Sequence, residues 1–222
     1  NLKRLLQPKS IALFGGLWIE NVANQIKNSN FKGNVWPINP HRKSIAGYKC
    51  FQDISDLPGV PDTAFIGVNR TKTLEILTKL NEVGCGGATC FAAGFSEVDK
   101  YGKQLQKKLS KASKDMPFLG PNCYGYINYL DHIHMWPDQH GGKEVEKGVA
   151  IIAQSSNIAI NLTMNTRSTP IAYVLTTGNQ AKIDMSDLGL AMINDKRVTA
   201  IGIYIEGFKD IKKFEKMALS AL

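Results

Sequence analysis

Residues 10–16 read Ser10-Ile11-Ala12-Leu13-Phe14-Gly15-Gly16, an apolar run of strand length closed by two glycines. The same pattern returns at residues 89–92 before Ala93-Gly94, at 149–152 before Gln154-Ser155-Ser156-Asn157, and at 173–175 before Thr176-Thr177-Gly178-Asn179. Short runs rich in Ile, Val and Phe predict parallel strands buried on both faces. A loop of small residues at the carboxyl end of such a strand is where an α/β sheet takes its ligand. There the backbone approaches a phosphate unhindered by Cβ atoms, with N–H groups pointing outward. The repeated strand-then-loop pattern therefore predicts a protein that holds phosphorylated ligands along one edge.

Outward from residues 10–16, strands and helices alternate. A helix is expected over 20–29, a strand over 34–38 ending in Asn39-Pro40, and a strand over 64–68. The connection Leu57-Pro58-Gly59-Val60-Pro61 is kept from being helical by its prolines. Leu74, Leu77 and Leu80 fall on one face of a helix at 71–83. A strand at 88–92, a lysine-rich helix at 97–113 and a short strand at 116–119 follow. Five strands with helical crossovers make residues 1–130 a Rossmann-like, doubly wound α/β domain. Residues 131–147 lose the period and read as an interdomain segment, a linker or a structured loop. From 148 to 222 the rhythm resumes, with strands at 149–152, 171–175 and 200–205 and helices at 157–166, 185–194 and from 209 onward. This is a second, flavodoxin-like unit, incomplete with three strands. The sequence opens on Asn and stops inside a helical pattern without a cap, so a segment of a longer protein is expected.

Composition narrows the partners. Among 222 residues, 27 Lys and Arg outnumber 19 Asp and Glu, giving a formal charge of +8 that suits anionic ligands. The densest basic stretch (Lys103, Lys107, Lys108, Lys111, Lys114) is spaced as the solvated face of a helix. No block of five cations and no basic helix interleaved with aromatics argues for nucleic acid. Cys50, Cys85, Cys90 and Cys123 have no CxxC spacing, which fits free thiols in a reducing cytoplasm. No signal-peptide or membrane-spanning run is recognised.

The loops supply the candidate chemistry. Gly15-Gly16 occupies the place of a dinucleotide loop, but G-x-G-x-x-G is absent and a tight strand-to-helix turn explains the pair equally well. After the second strand comes Asn39-Pro40-His41-Arg42-Lys43, with no acid to hold ribose hydroxyls. Arg42 and Lys43 either bind a phosphate on that ribose, as NADP and coenzyme A both carry, or form a solvated turn. Pro121 and Asn122 make Gly120–Gly125 a tight loop, in which Cys123 has no base placed beside it and reads as a packing thiol. Ser155, Ser156 and Asn157 sit at a helix start, a seat for phosphate or an ordinary cap. Glu206 follows the last strand, where an acid can orient an imidazole. His132, His134 and His140 offer a His-x-His spacing without a downstream ligand pattern for a metal.

Together these stretches resemble the nucleoside-diphosphate-forming acyl-CoA synthetase superfamily, which includes ADP-forming acetate–CoA ligase and the α subunit of succinyl-CoA synthetase. Ser10 to Gly16, Trp36 to Pro40, Ala93 to Glu97 and Leu119 to Cys123, continuing through Asn128, look like its CoA-binding domain. Gly148 to Ser155, Thr177 to Ala181 continuing through Asp187, and Tyr204 to Gly207 look like its succinyl-CoA-ligase-like flavodoxin domain. The resemblance implies an acid–thiol ligase: a carboxylic acid, CoA and ATP give acyl-CoA, ADP and phosphate through an acyl-phosphate and a phosphohistidine. It places CoA against Gly15, Gly16, Pro40, Arg42, Lys43, Val68, Asn69, Ala93, Gly94, Asn122 and Cys123. It places phosphate on Ser155, Ser156 and Asn157, and gives Glu206 the role of steadying the phosphohistidine. ATP and Mg²⁺ are implied only for an ATP-grasp domain or subunit beyond Leu222, where the family's phosphohistidine also lies. A homo- or hetero-oligomer is the implied assembly. The family's Gly-Ala-Ser loop is here Gly15-Gly16-Leu17-Trp18, with large apolar residues in place of small polar ones. A non-catalytic CoA- or nucleotide-binding module and an NADP-dependent oxidoreductase are the competing readings.

Overall fold

The structure, a computed structural model, describes residues 2–222. A short helix α1 (Lys3–Leu6) buries Leu5 and Leu6 and leads into β1 (Ser10–Gly15). Then follow α2 (Leu17–Asn28), β2 (Asn34–Ile38), a small hairpin β3 (Ser44–Ile45) and β4 (Tyr48–Lys49), β5 (Thr63–Gly67), α3 (Arg70–Glu82), β6 (Ala88–Cys90), α4 (Lys100–Ala112) and β7 (Phe118–Leu119). These make a five-stranded parallel sheet of order β2-β1-β5-β6-β7. Strand β1 is paired on both sides, and its two faces enter different cores, Ile11 and Leu13 one and Ala12 and Phe14 the other, which is why residues 11–14 are uniformly apolar. Pro37 lies in β2, at the sheet edge, where a missing N–H is tolerated. Ile19, Val22, Ala23 and Ile26 form the buried stripe of α2 at helical spacing.

Helix α2 begins at Leu17, one turn earlier than the apolar pattern indicates, so Gly16 is its N-cap. Helix α4 begins at Lys100 because the Asp99 carboxylate accepts the Gly102 amide at 2.6 Å, leaving residues 95–98 as turn.

The second sheet has five strands, not three. Its parallel part is β10 (Gly148–Ala153), β11 (Ile171–Thr176) and β12 (Val198–Tyr204), interleaved with α5 (Ser156–Thr163), α6 (Met185–Ile193) and a final α7 (Ile211–Ser220). A hairpin of β8 (Tyr126–Asn128) and β9 (Ile133–Met135) completes it, antiparallel to β11, in the order β12-β10-β11-β8-β9. Thus residues before 130 and after 131 together contribute sheet edge rather than a bare connection. The hairpin is set by Asn128, which is buried. Its Oδ1 accepts the amides of Leu130 and Asp131, and its Nδ2 donates to Leu6 O and to Asp131.

One apolar cluster runs through both units. It includes Leu13, Ile19 and Phe65 of the first and Ala150, Ile152, Tyr173 and Leu175 of the second. The Tyr126 hydroxyl donates to Leu5 O across the same seam. Arg197 adds a polar tie, forking onto Asp131 at 2.7 and 2.9 Å and onto Asp195 at 2.9 Å.

Candidate functional site

Parallel pairing brings the strand ends level. Gly15 sits opposite Gly67, Phe14 opposite Ile38 and Ile66 opposite Cys90, so the turns that follow share one edge of the first sheet. In the second sheet Ala153 lies opposite both Thr176 and Tyr204. Main-chain bonds close the two edges on one another. Asn179 N donates to Pro121 O and Ala181 N to Gly120 O, each at 2.9 Å, and Tyr124 N donates to the Ser156 hydroxyl at 3.1 Å.

The two glycines after β1 differ in kind. A Cβ on Gly15 would stand 2.6 Å from Gly67 O, and its φ is +144°, so this glycine is required by strand packing. A Cβ on Gly16 would meet nothing within 4 Å. No side chain caps α2 there, so the first-turn amides and the positive end of the helix face an open approach. Asn39 holds the turn after β2 against this edge: its Nδ2 donates to Gly15 O at 2.8 Å, and its Oδ1 accepts from His41 N. Pro40, Arg42 and Lys43 are exposed beside it. Arg42 is not a bare cation, because it forks onto Glu20 at 2.7 and 3.2 Å. That hydrogen bond holds the Glu20 carboxyl below its ordinary range and raises Arg42.

Val68 is half-buried at the end of β5, and Asn69 caps α3 by accepting from Lys72 N at 3.0 Å. Ala93 and Gly94 follow β6. Gly94 O accepts from Arg70 at 2.6 Å, and the Glu97 carboxylate accepts the amides of Gly94 and Phe95. Glu97 also accepts from the Asn179 side chain at 2.5 Å, joining the 93–97 turn to the 178–180 turn. Burial pushes the Glu97 carboxyl up, but the Asn179 bond and the loop amides outweigh it and the group lies below its usual range. Asn122 is exposed in the left-handed region at φ +59°, with its N–H on Ala92 O. Cys123 is buried as a whole residue, its thiol pushed up to about 12 by burial, so it packs beneath the loop and offers it no exposed group.

Across the seam, Ser155 caps α5 on the Ile158 amide and Asn157 is exposed in the first turn. Gln154 Oε1 receives the amides of both Glu206 and Gly207, fixing that turn beside the α5 start while the Glu206 side chain stays exposed. Sequence reasoning placed Gln154 in the loop without seeing this grip. It also passed over Arg70, whose only signal was a cation directly after the Asn69 cap.

The histidines are elsewhere. His132 and His134 lie in and beside the β9 hairpin near Glu144, and His140 bonds the Tyr129 hydroxyl at 2.9 Å. Burial, then the neighbouring His140 and His132, lower the His134 pKa to about 3. Among the described residues no group of three or more His, Cys, Asp or Glu side chains is arranged to hold a metal ion. A cavity of about 860 Å³ is lined by Gln7, Pro117 and Arg197, which precede β1, β7 and β12, together with Tyr173 and part of α6. It is therefore not the cluster of turns. No described helix is long and apolar enough to cross a membrane.

Comparison with known proteins adds what geometry cannot. Residues 9–129 match the family described as CoA binding domain, and residues 146–222 match the succinyl-CoA ligase like flavodoxin domain. An ADP-forming acetate–CoA ligase of Methanocaldococcus jannaschii is 32% identical over 98% of this chain and 31% of its own length. Trans-feruloyl-CoA synthase FCS1, from an unknown prokaryotic organism, is 28% identical over 96% of this chain and 32% of its own. The solved apo form of the dinucleotide-forming acetyl-coenzyme A synthetase 1 of Ca. Korarchaeum cryptofilum superposes with a TM-score of 0.89 at 28% identity, covering 98% of this chain and 49% of that one. The chain thus spans about a third to a half of the proteins it matches.

Proposed function

The chain belongs to the CoA binding domain family over residues 9–129, and from that premise we propose that it is the coenzyme-holding part of an ADP-forming acyl-CoA synthetase. The single observation that carries the reading is the convergence of two sets of strand-end turns, one per sheet, on a shared seam. The relatives named above are ADP-forming acetate–CoA ligase and feruloyl-CoA synthase, so acid–thiol ligation is the reaction of choice.

In this reading the open face at Gly16 and the uncapped start of α2 receive the coenzyme's phosphates, with Lys43 and the exposed Pro40 turn beside them. Val68, Asn69, Ala93, Gly94 and Asn122 line the path toward the seam, and the buried Cys123 packs beneath it. The α5 start, with Ser155, Ser156 and Asn157, receives the transferred phosphoryl group. Ser155 already serves one amide and Ser156 already accepts from Tyr124, so the remaining first-turn amides and the helix dipole supply the attraction. Glu206, held by Gln154 at the next strand end, is placed to orient a histidine delivered from outside these residues. CoA brings the thiol that becomes the thioester. The chain's residues bind, align and exclude, and the ATP and Mg²⁺ chemistry belongs to an ATP-grasp domain or subunit. Free thiols fit a cytoplasmic setting.

Isothermal titration with CoA and with NADPH tests the assignment. CoA binds and NADPH competes weakly if it holds; tight NADPH binding without CoA binding ends it.

A further inference from the structure

Three aromatic rings cross the seam between the two ligand-facing helix starts. Trp18, in the first turn of α2, lies 4.9 Å from Phe91, and Phe91 lies 5.7 Å from Tyr124. Tyr124 carries the amide that bonds Ser156 in the first turn of α5. Trp18 is 42% exposed and its neighbour Leu17 73% exposed, while Phe91 and Tyr124 are half-buried. The strip is rigidly backed: Phe91 packs on the buried Phe65 at 5.8 Å, and Tyr124 on the buried Trp136 at 5.5 Å. Large apolar side chains left open in a row, next to polar turns, mark a surface meant to be covered.

The chemistry of the site says by what. Resting on the coenzyme reading above, the thiol of CoA enters from the Gly16 side and the phosphoryl group sits at α5. The acyl carbon must pass between them, and its substituent lies where the strip lies. Acetyl is too small to touch more than one of these rings. A flat aromatic acyl group stacks against two or three of them, in offset or tilted geometries that aromatic pairs favour. We propose that Trp18, Phe91 and Tyr124 form the acyl subsite and that the acid is an aromatic carboxylic acid, with Trp18 the chief determinant of that choice.

The test is isothermal titration of the protein with CoA, acetyl-CoA and benzoyl-CoA. Benzoyl-CoA is expected to bind about tenfold or more tightly than acetyl-CoA, a difference of about 1.4 kcal/mol. Trp18→Ala should bring the two thioesters to within about twofold, and Trp18→Phe should restore most of the gap. If CoA binds but acetyl-CoA and benzoyl-CoA bind equally, the acyl subsite is wrong while the coenzyme reading stands. Full discrimination by the Trp18→Ala variant refutes it as well. Failure of CoA itself to bind removes both.

Discussion

Replacing Gly15 and Gly16 one at a time by alanine separates the structural glycine from the ligand-facing one. At Gly15 the new methyl would stand 2.6 Å from Gly67 O, closer than Cβ atoms come to anything, and φ is +144°. The conformational strain amounts to about 1–3 kcal/mol, and forcing β1 from β5 adds about 1–3 kcal/mol of overpacking. The sum, about 4 kcal/mol, lowers the midpoint of thermal unfolding by about 8–16 °C for a chain of this size. At Gly16 the methyl meets nothing within 4 Å. The change there is that of a cap residue, about 1 kcal/mol or less and about 2–4 °C. The same methyl stands where the phosphates would approach, so CoA affinity should fall about tenfold or more, by the loss of about 1.4 kcal/mol. Scanning calorimetry and CoA titration on the three proteins decide the matter. Midpoints for Gly15→Ala and Gly16→Ala within about 2 °C of each other would refute the strand-packing argument. Unchanged CoA affinity for Gly16→Ala would remove that glycine from the coenzyme site.

Arg197→Met should destabilise by about 1–2 kcal/mol, the partial exposure of the cluster holding it below the value for a buried pair, measured by urea unfolding at pH 7. For Asp195 the Arg197 hydrogen bond, and for Asp131 that same bond working against burial, leave both carboxyls below their ordinary range. Their stabilisation is therefore complete above the unfolded carboxylate pKa and lost as pH falls through the folded values, so the gap between parent and variant should narrow as pH drops below the ordinary carboxylate range. Iodoacetamide at pH 8 should label Cys50, the one half-buried cysteine, before the buried three, whose thiols burial pushes up and shields. Peptide mapping by mass spectrometry reads the order, and early labelling of Cys123 would contradict its burial. Glu97→Ala should free both the 93–97 and 178–180 turns, raising amide hydrogen exchange at Gly94 and Phe95, and exchange unchanged there would mean the carboxylate bridges nothing.

The parallel strands were readable because burial on both faces leaves a continuous apolar run, and Ile11–Phe14 or Val149–Ile152 has no competing pattern. The hairpin of Tyr126–Asn128 and Ile133–Met135 escaped for the opposite reason. Each strand is three residues long, each carries a polar side chain that is buried, and the strand that ties the hairpin to the sheet, β11, pairs with β8 from more than forty residues downstream of it. The α2 start escaped because Leu17 and Trp18 are exposed and break the amphipathic pattern that marks the rest of the helix. Of the candidate site, glycines and cap residues could be read from the loops alone. The clamps could not: Gln154 on the 206–207 turn and Glu97 on Asn179 act across fifty to eighty residues of sequence.

The β8–β9 hairpin leaves the first sheet's last strand in the chain yet completes the second sheet in space. The two halves are therefore stitched, not hinged. No split of the gene near residue 130 yields two self-sufficient pieces: the upstream product would carry a stray strand with no sheet to join, and the downstream one would bare the flank of β11. Any two-fragment complementation scheme has to break before Tyr126, so that the hairpin stays with the sheet it completes.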